Sequence, residues 1–582
     1  MTRLLLIGAA GLDWASFDAM TRSGTLPELA ALRARGVAGW LGGAPLTLGP
    51  AAWASIATGL PPEVHGVWRD LEEWPGGLRP TGKASWRYPP IWARLEAAGV
   101  STGSVAWRAS RPGAEWPGVH IDESFPDPSG IRPGDWALPR RCVPDTLRDT
   151  LRGRRVHPLQ ITAHMLTPLV PALAEIDQTR DDALPMIGLG LARASTIQSA
   201  AAWMLSEREQ GAPDAVFVHH PWLARARFAF ERRKDPIFDG VIPAAFRFLD
   251  GLIGRLASLA RPDTQVLIVS PGWRGAPGVI LAVGAGVIAD DSFLGAGLLD
   301  IAPTALARFG LADPDLPGRP LPITPPPAPL IAAPDIGGEP PAKPDPLLVH
   351  GLRKHGYRPP AWPGRAWKAQ GLADLALMVL DRDPAATLRI ADACLILDAA
   401  NVQALRVKAR ACLALDDADP LPSIAEALAL AAPDRAWSAT AQGAYHVLRG
   451  EISLAEPELR RAETDPDPAS LLTVAAIWLA ASRPAAAERV FKSVLKEDPS
   501  NVSAEIGLAM GAAARRDFLT AEQCLVRALK TDPGRPAIYL QLAQTYARTA
   551  RKTEATRCAA IALRLGVPPP LAEAARLGGL PG

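Results

Sequence analysis

Two adjacent imidazoles, His219 and His220, close the apolar run AVFVHH, and they are the first residues that could hold a metal ion. Asp13, in GLDW, and Asp214, just before that run, add carboxylates of the kind that complete such a set. Hydroxyls come from LTLGPAAWASIATG: Thr47 is free to act as a nucleophile, whereas Ser55 and Thr58 lie within a helix and bond back to its carbonyls. Each of these residues also has an ordinary use. The histidines follow a buried strand and precede Pro221, which suits a strand end or turn. Asp13 is a favoured helix cap before Trp14, and Thr47 is a β-prone residue leading into a helix. His65, in EVHGV, braces its loop. Gly49 caps that helix and Pro50 suits its first turn, so the backbone around Gly49, Pro50 and Ala51 is a candidate anion site.

The elements that must position these residues are legible as patterns. LLLIG at 4–8, GSVAW at 103–107, AVFV at 215–218, QVLIVS at 265–270 and GVILAVG at 278–284 are apolar on both faces, as in a parallel sheet covered twice. LPELAALRARGV and PPIWARLEAAGV place apolar residues at helical spacing and end at glycine. Their alternation predicts an α/β sandwich, a mostly parallel sheet between helices, over residues 1–312. Sixteen prolines between 313 and 363, TPPPAP among them, predict an extended linker, with 347–358 able to form one docked helix. From 364 to 582 the chain is rich in Ala and Leu. Helix-ending marks recur at Ala399, Pro433, Pro466, Pro499, Pro533 and Val567, and Ala487, Ala521 and Ala555 keep a spacing of 34. That period predicts about six tetratricopeptide-like repeats, an all-α solenoid.

Bulk properties narrow the classes. The 582 residues exceed what one core holds, and 62 basic residues against 60 acidic ones give a net charge of +2, no basis for a nucleic-acid partner. Cys142, Cys394, Cys412, Cys524 and Cys558 are scattered, four of them in helical context, as small buried hydrophobes in a reducing compartment would be. No run approaches the ~18 apolar residues of a membrane span. The short apolar start meets Asp13 and reads as a first strand rather than a signal peptide, so the expected location is cytoplasmic.

The segments LLLIGAAGLDW, SGTLPELAALRARGVAGWL, the stretch around Gly49, IWARLEAAGVSTGSVAWRASRPG and LLDIAPTALARFGL resemble the alkaline phosphatase superfamily, in its type I phosphodiesterase/nucleotide pyrophosphatase branch. Some bacterial members also carry tetratricopeptide repeats after a segment like GLRKHGY. The resemblance implies a two-metal hydrolysis in active members, with carboxylates and imidazoles holding the cations, usually zinc, and a Ser or Thr as nucleophile. Carried over position by position, it places Gly49 at the nucleophile. Ala10, Ala224 and Phe228, and Pro271 stand at metal-ligand positions. The expectation is a pseudoenzyme with no metal and no other cofactor.

Ten tryptophans between Trp14 and Trp136 are expected to pack layers together rather than to stack ligands. The repeats are expected to take a protein or peptide in a concave groove, where Arg365, Lys368, Arg406 and Lys408 lie on first helices and could meet an acidic tail. The competing expectation is a phosphate or sulfate ester hydrolase that uses zinc or manganese on Asp13, Asp214, His219 and His220, with Thr47 or water as attacker.

Overall fold

Strands apolar on both faces need cover on both faces, and the first unit is built to supply it. The computed structural model describes residues 2–42, 49–74, 77–111, 116, 118–127, 142–178, 180–206, 211–274, 276–287, 295–323, 369, 372–373, 376–377, 380, 384–533, 535–564 and 569–578. The chain divides into two units, Met1–Tyr357 and Arg358–Gly582. In chain order the strands are β1 (Leu4–Ala9), β2 (Gly36–Gly42), β3 (Leu71–Trp74), β4 (Gly77–Pro80), β5 (Thr102–Val105), β6 (Val119–Ile121), β7 (Cys142–Val143), β8 (Ala215–His220), β9 (Gln265–Ser270), β10 (Gly278–Gly284) and β11 (Gly295–Gly297).

Nine of them form one sheet in the order β11-β2-β10-β9-β1-β8-β5-β6-β7, and β3 and β4 pair as a separate hairpin. From β9 to β6 neighbours are parallel; β10 runs antiparallel to both β9 and β2. Alternate residues feed two cores. Leu5, Ile7, Val216 and Val218 pack under the helices Ala183–Ser206 and Val241–Leu259, while Leu4, Leu6, Ala215 and Phe217 pack against Gly49–Thr58 and Ile301–Ala307. This is the sandwich expected from the strand pattern. Gly36 opens β2 because any Cβ there would strike the Ala282 carbonyl at 2.1 Å.

Packing of the first unit continues past residue 312. Leu316, Leu321 and Ile323 are buried in the second of these cores, and Asp313 pairs with the buried Arg94. The linker expected from 313 therefore starts later, since apolar residues between its first prolines find cover. The expected docked helix, 347–358, lies outside the described residues.

In the second unit, consecutive helices pack as antiparallel pairs. Complete pairs are Val402–Ala414 with Leu421–Ala431, Trp437–Leu448 with Ile452–Ala462, Pro468–Ala480 with Pro484–Glu497, Val502–Ala514 with Phe518–Thr531, and Pro536–Arg548 with Lys552–Arg564. Pro384–Leu397 precedes them and Pro569–Arg576 follows. Small residues set the approach of the helices: a Cβ on Gly507 would meet the Phe491 ring at 2.1 Å. Each turn from first to second helix holds one residue in the left-handed region, Asp416, Gly450, Ser482, Arg516 or Ala550. The next amide then reaches back to the first helix, as from Arg551 to the Tyr546 carbonyl at 2.8 Å. This is the Schellman closure of a helix. The five cysteines are buried and free.

Candidate functional site

Parallel strands deliver their C-terminal ends to one edge. The register pairs Ala9 with His220, Gly8 with Val269 and Val105 with Val218. Ala10, Ala106, Pro221 and Pro271 therefore follow at the same edge, where open α/β sheets place their ligand sites. Beside it the helix Gly49–Thr58 presents its N-terminus. Gly49 is the first helical residue rather than the cap expected for it, and its Cβ position faces open space.

At the positions where the resemblance places metal donors, backbone and hydrocarbon meet instead. The Ala224 amide donates to the Ala10 carbonyl at 3.0 Å, and Gly11, at φ +90°, lies so close that a Cβ would touch the Ala224 backbone at 2.7 Å. Phe228, one helical turn further, points outward with 79 % exposure. Between β9 and β10 the turn through Pro271 and Gly272 is tight: Gly272 has φ +96°, and a Cβ on it would meet the Ala276 carbonyl at 2.0 Å. Among the described residues no group of three or more His, Cys, Asp and Glu is disposed to hold a metal ion. The described side chains at these positions do not fit a two-metal centre.

The other candidates are placed but not gathered. His219 and His220 are successive residues of β8, so their rings face opposite sides of the sheet and cannot share an ion. His219 packs on Trp53, centroids 4.5 Å apart, and its Nδ1 donates to the Ala106 carbonyl at 3.2 Å. Burial first, then Arg108, holds its pKa well below the usual histidine value. Burial alone takes His220 down to about 4. Asp214 precedes β8 and so lies at the far edge, roughly 20 Å away by strand rise, accepting from Ser101 Oγ at 2.8 Å.

Asp13 caps Trp14–Arg22 through the Ser16 amide at 2.9 Å and also receives Arg227 Nη1 at 2.5 Å. Arg227 in turn donates to the Gly11 carbonyl at 2.8 Å and to Glu231 at 2.8 Å, while Glu231 accepts from Trp273 Nε1 at 2.7 Å. A guanidinium clasp thus ties the loop after β1 to the helix after β8. His65 donates through Nε2 to Ser55 Oγ at 3.0 Å and accepts the Val67 amide, bracing its loop as expected; burial pushes it down to about 3. Thr58 bonds back to the Ala54 carbonyl. Thr47 lies outside the described residues.

Among the described residues, Trp53, Trp86, Trp92, Trp107 and Trp116 form a buried cluster rather than a stacking platform. Trp92 contacts Trp86, Trp107 and Trp116 at centroid distances of 6.1, 5.7 and 5.2 Å. Between them and β6 runs a belt of charge that sequence patterning does not single out, because its members come from distant segments. It comprises Arg108, Arg111, Glu123, Asp127, Arg193 and Arg225. The doublet RAR at 225–227, directly after a strand end, is its one local signal.

In the repeat unit, first helices of three successive pairs line a pocket of about 140 Å³. Arg406, Leu413, Trp437, Thr440, Ala441 and Thr473 are among its walls. Arg406 stacks over Trp437 at 4.3 Å and pairs with Asp467 at 2.5 Å. Lys408 instead pairs with Asp392 at 2.7 Å, away from the pocket. Arg365 and Lys368 lie outside the described residues.

A mostly parallel sheet between two helical layers, with the N-terminus of the helix Gly49–Thr58 beside its C-terminal edge, is the α/β sandwich expected of an alkaline-phosphatase-like domain. Residues 4–271 match the family model described as type I phosphodiesterase / nucleotide pyrophosphatase, and tetratricopeptide-like helical repeats follow. No curated protein sequence matches the chain. Similar solved structures include a tetratricopeptide repeat protein from Parabacteroides merdae, 14 % identical over 40 % of this chain and 88 % of that one, TM-score 0.29. Yeast Tom70 is 17 % identical over 40 % of this chain, TM-score 0.28, and the chain spans only 51 % of its length. Among the described residues no helix is long and apolar enough to cross a membrane.

Proposed function

We propose that the first unit is a catalytically inactive relative of the phosphodiesterases, and that the protein works as an interaction scaffold through its repeats. One observation carries the first half. At the edge where such chemistry needs donors and a hydroxyl, Ala10, Ala224, Phe228, Pro271 and Gly49 supply none, and Asp13, the carboxylate after β1, is already engaged by Ser16 and Arg227. A cation needs several donors converging at about 2 Å, and alanine, phenylalanine, proline and glycine side chains offer none. The groove supports the second half: it is concave, largely apolar, and built from first helices, a surface suited to an extended peptide or a partner helix.

Purified protein should hold no stoichiometric zinc or manganese, and should hydrolyse bis(4-nitrophenyl) phosphate no faster than the metal alone. Chelator-sensitive turnover with bound metal would overturn the inactive reading. For the groove, Thr440→Arg should leave the melting temperature unchanged and abolish retention of a partner that the wild-type chain captures. Equal retention by both chains removes the groove from consideration.

A further inference from the structure

The belt of charge beside the degenerate site contains one arginine without a counter-ion. Arg225, in the first turn of Trp222–Phe230, lies in the combined field of Arg193, Asp127, Arg108 and Glu123. The carboxylates there are spoken for. Asp127 takes Arg193 at 2.8 Å and stands 3.9 Å from Arg111; Glu123 takes Arg111 at 2.7 Å and Arg108 at 3.3 Å; Asp70 closes on Arg108. Among the described residues none comes within ion-pair distance of Arg225, and no acceptor hydrogen-bonds its guanidinium. Burial pushes this group down to about 9, and Arg193 beside it acts in the same direction.

Further donors in the same belt lack acceptors. Arg193 Nε and Arg111 Nη1 are buried with no partner among the described residues. An unpaired guanidinium withdrawn from water is costly, and surplus N–H groups make the cost larger. Arg225 is therefore short of an acceptor. Arg225 remains partly exposed, so a small solute can reach it. A guanidinium fork matches the paired oxygens of phosphate, sulfate or carboxylate.

We propose that Arg225, with Arg193 beside it, forms a site for a small oxyanion of the phosphate or sulfate type, held by guanidinium N–H groups without a metal. The site stands whether or not the first unit is inactive, because no lost donor position takes part in it.

The test uses the full chain. Thermal unfolding is followed in about 10 mM phosphate, sulfate or acetate against chloride at equal ionic strength, for wild type, Arg225→Gln and Arg225→Lys. Phosphate and sulfate should raise the wild-type midpoint by a few degrees. Arg225→Gln should erase that shift, and Arg225→Lys should keep part of it. In chloride, Arg225→Gln should melt no lower than wild type, since it removes a buried cation that has no partner. Titration calorimetry with phosphate should then show binding to Arg225→Gln at least tenfold weaker. An acetate shift as large as that of phosphate extends the same chemistry to carboxylates. No shift in wild type, an equal shift in Arg225→Gln, or a marked loss of stability of Arg225→Gln in chloride each overturns the site, the last by showing that the chain itself already supplies the partner.

Discussion

The two units bury different kinds of residue. The first places histidines, arginines and their carboxylates within or against its sheet, with His65 and His220 fully withdrawn from solvent. The second keeps a core of Ala, Leu, Val and Trp and spans its helices with surface pairs, Arg489 on Glu463, Arg527 on Glu505 and Arg551 on Glu522. The contrast bears on how an α/β domain can keep its shape while its sheet edge varies. Leu5, Ile7, Val216 and Val218 hold the sheet, whereas Gly49 and Pro271 lie at a helix start and a turn; Ala10 and Ala224 keep small apolar contacts at the rim of the second core. Chemistry can be lost there without loss of fold.

The largest test of the contrast is a matched pair of cavities. Trp92→Ala and Trp478→Ala each remove a fully buried indole and should cost about 3–5 kcal/mol. Their reach should differ. Trp92 touches Trp86, Trp107, Trp116 and Phe217, so hydrogen exchange should rise across β1, β5 and β8 together. In a solenoid each repeat leans only on its neighbours. Trp478→Ala should open Pro468–Glu497 and adjoining helices while Lys552–Arg564 keeps its protection. Equal opening throughout the repeats would erase the distinction.

Acid should act on the first unit ahead of the second. His65 and His220 have native pKa values of about 3 and about 4, below the usual 6.5, because burial disfavours the charged ring. The unfolded chain therefore binds more protons between pH 6.5 and those values, so stability is full above 6.5 and falls as pH drops through that window. At pH 5 the loss should be about 2 kcal/mol per histidine. Denaturant midpoints of wild type and His220→Phe at pH 7 and pH 5 check this: the variant should lose less on acidification, and an equal loss would remove His220 as a cause.

The clasp gives a smaller effect. Arg227→Met leaves Asp13 with only its cap bonds and Glu231 with Trp273 and Arg274, and should destabilise by about 1–2 kcal/mol, below the figure for a fully buried pair because some solvent access remains. A double cycle with Asp13→Asn, read by denaturant midpoint, should show coupling; additivity would mean that the two act separately.

Legibility in the sequence followed the same division. The repeats were readable because packing sets alanine and proline at a fixed spacing, and helices starting at Pro484, Phe518 and Lys552 keep it. Strands covered on both faces, β1, β8, β9 and β10, were readable as apolar runs. Glycine-rich or very short strands, such as β2 and β11, carry no such run and are made by their neighbours. At the site, only a family resemblance turns Ala10, Gly49, Ala224 and Pro271 into losses, since hydrocarbon has no signature of what it replaced. The belt around Arg225 left only one local signal, RAR at 225–227, because its other residues, 108, 111, 123, 127 and 193, come from segments far apart in the chain.

The smallest prediction compares backbone strain in the two units. Ala550 sits at φ 62°, between Pro536–Arg548 and Lys552–Arg564, at the place that Gly450 occupies in an earlier turn. A side chain in the left-handed region is penalised by its own Cβ, and glycine is not. Ala550→Gly should therefore stabilise the repeats by about 0.5–1 kcal/mol, the gain being held down by the greater freedom of an unfolded glycine. Gly450→Ala should reverse the sign, and both should move the denaturant midpoint without changing its slope. In the first unit the like residue is Ala106, φ 55°, whose carbonyl accepts from His219. There the same change should yield less, because the His219 bond and the surrounding tryptophans already hold that conformation. A gain at Ala106→Gly as large as at Ala550→Gly would mean that the sheet edge is no better braced than an exposed turn between helices.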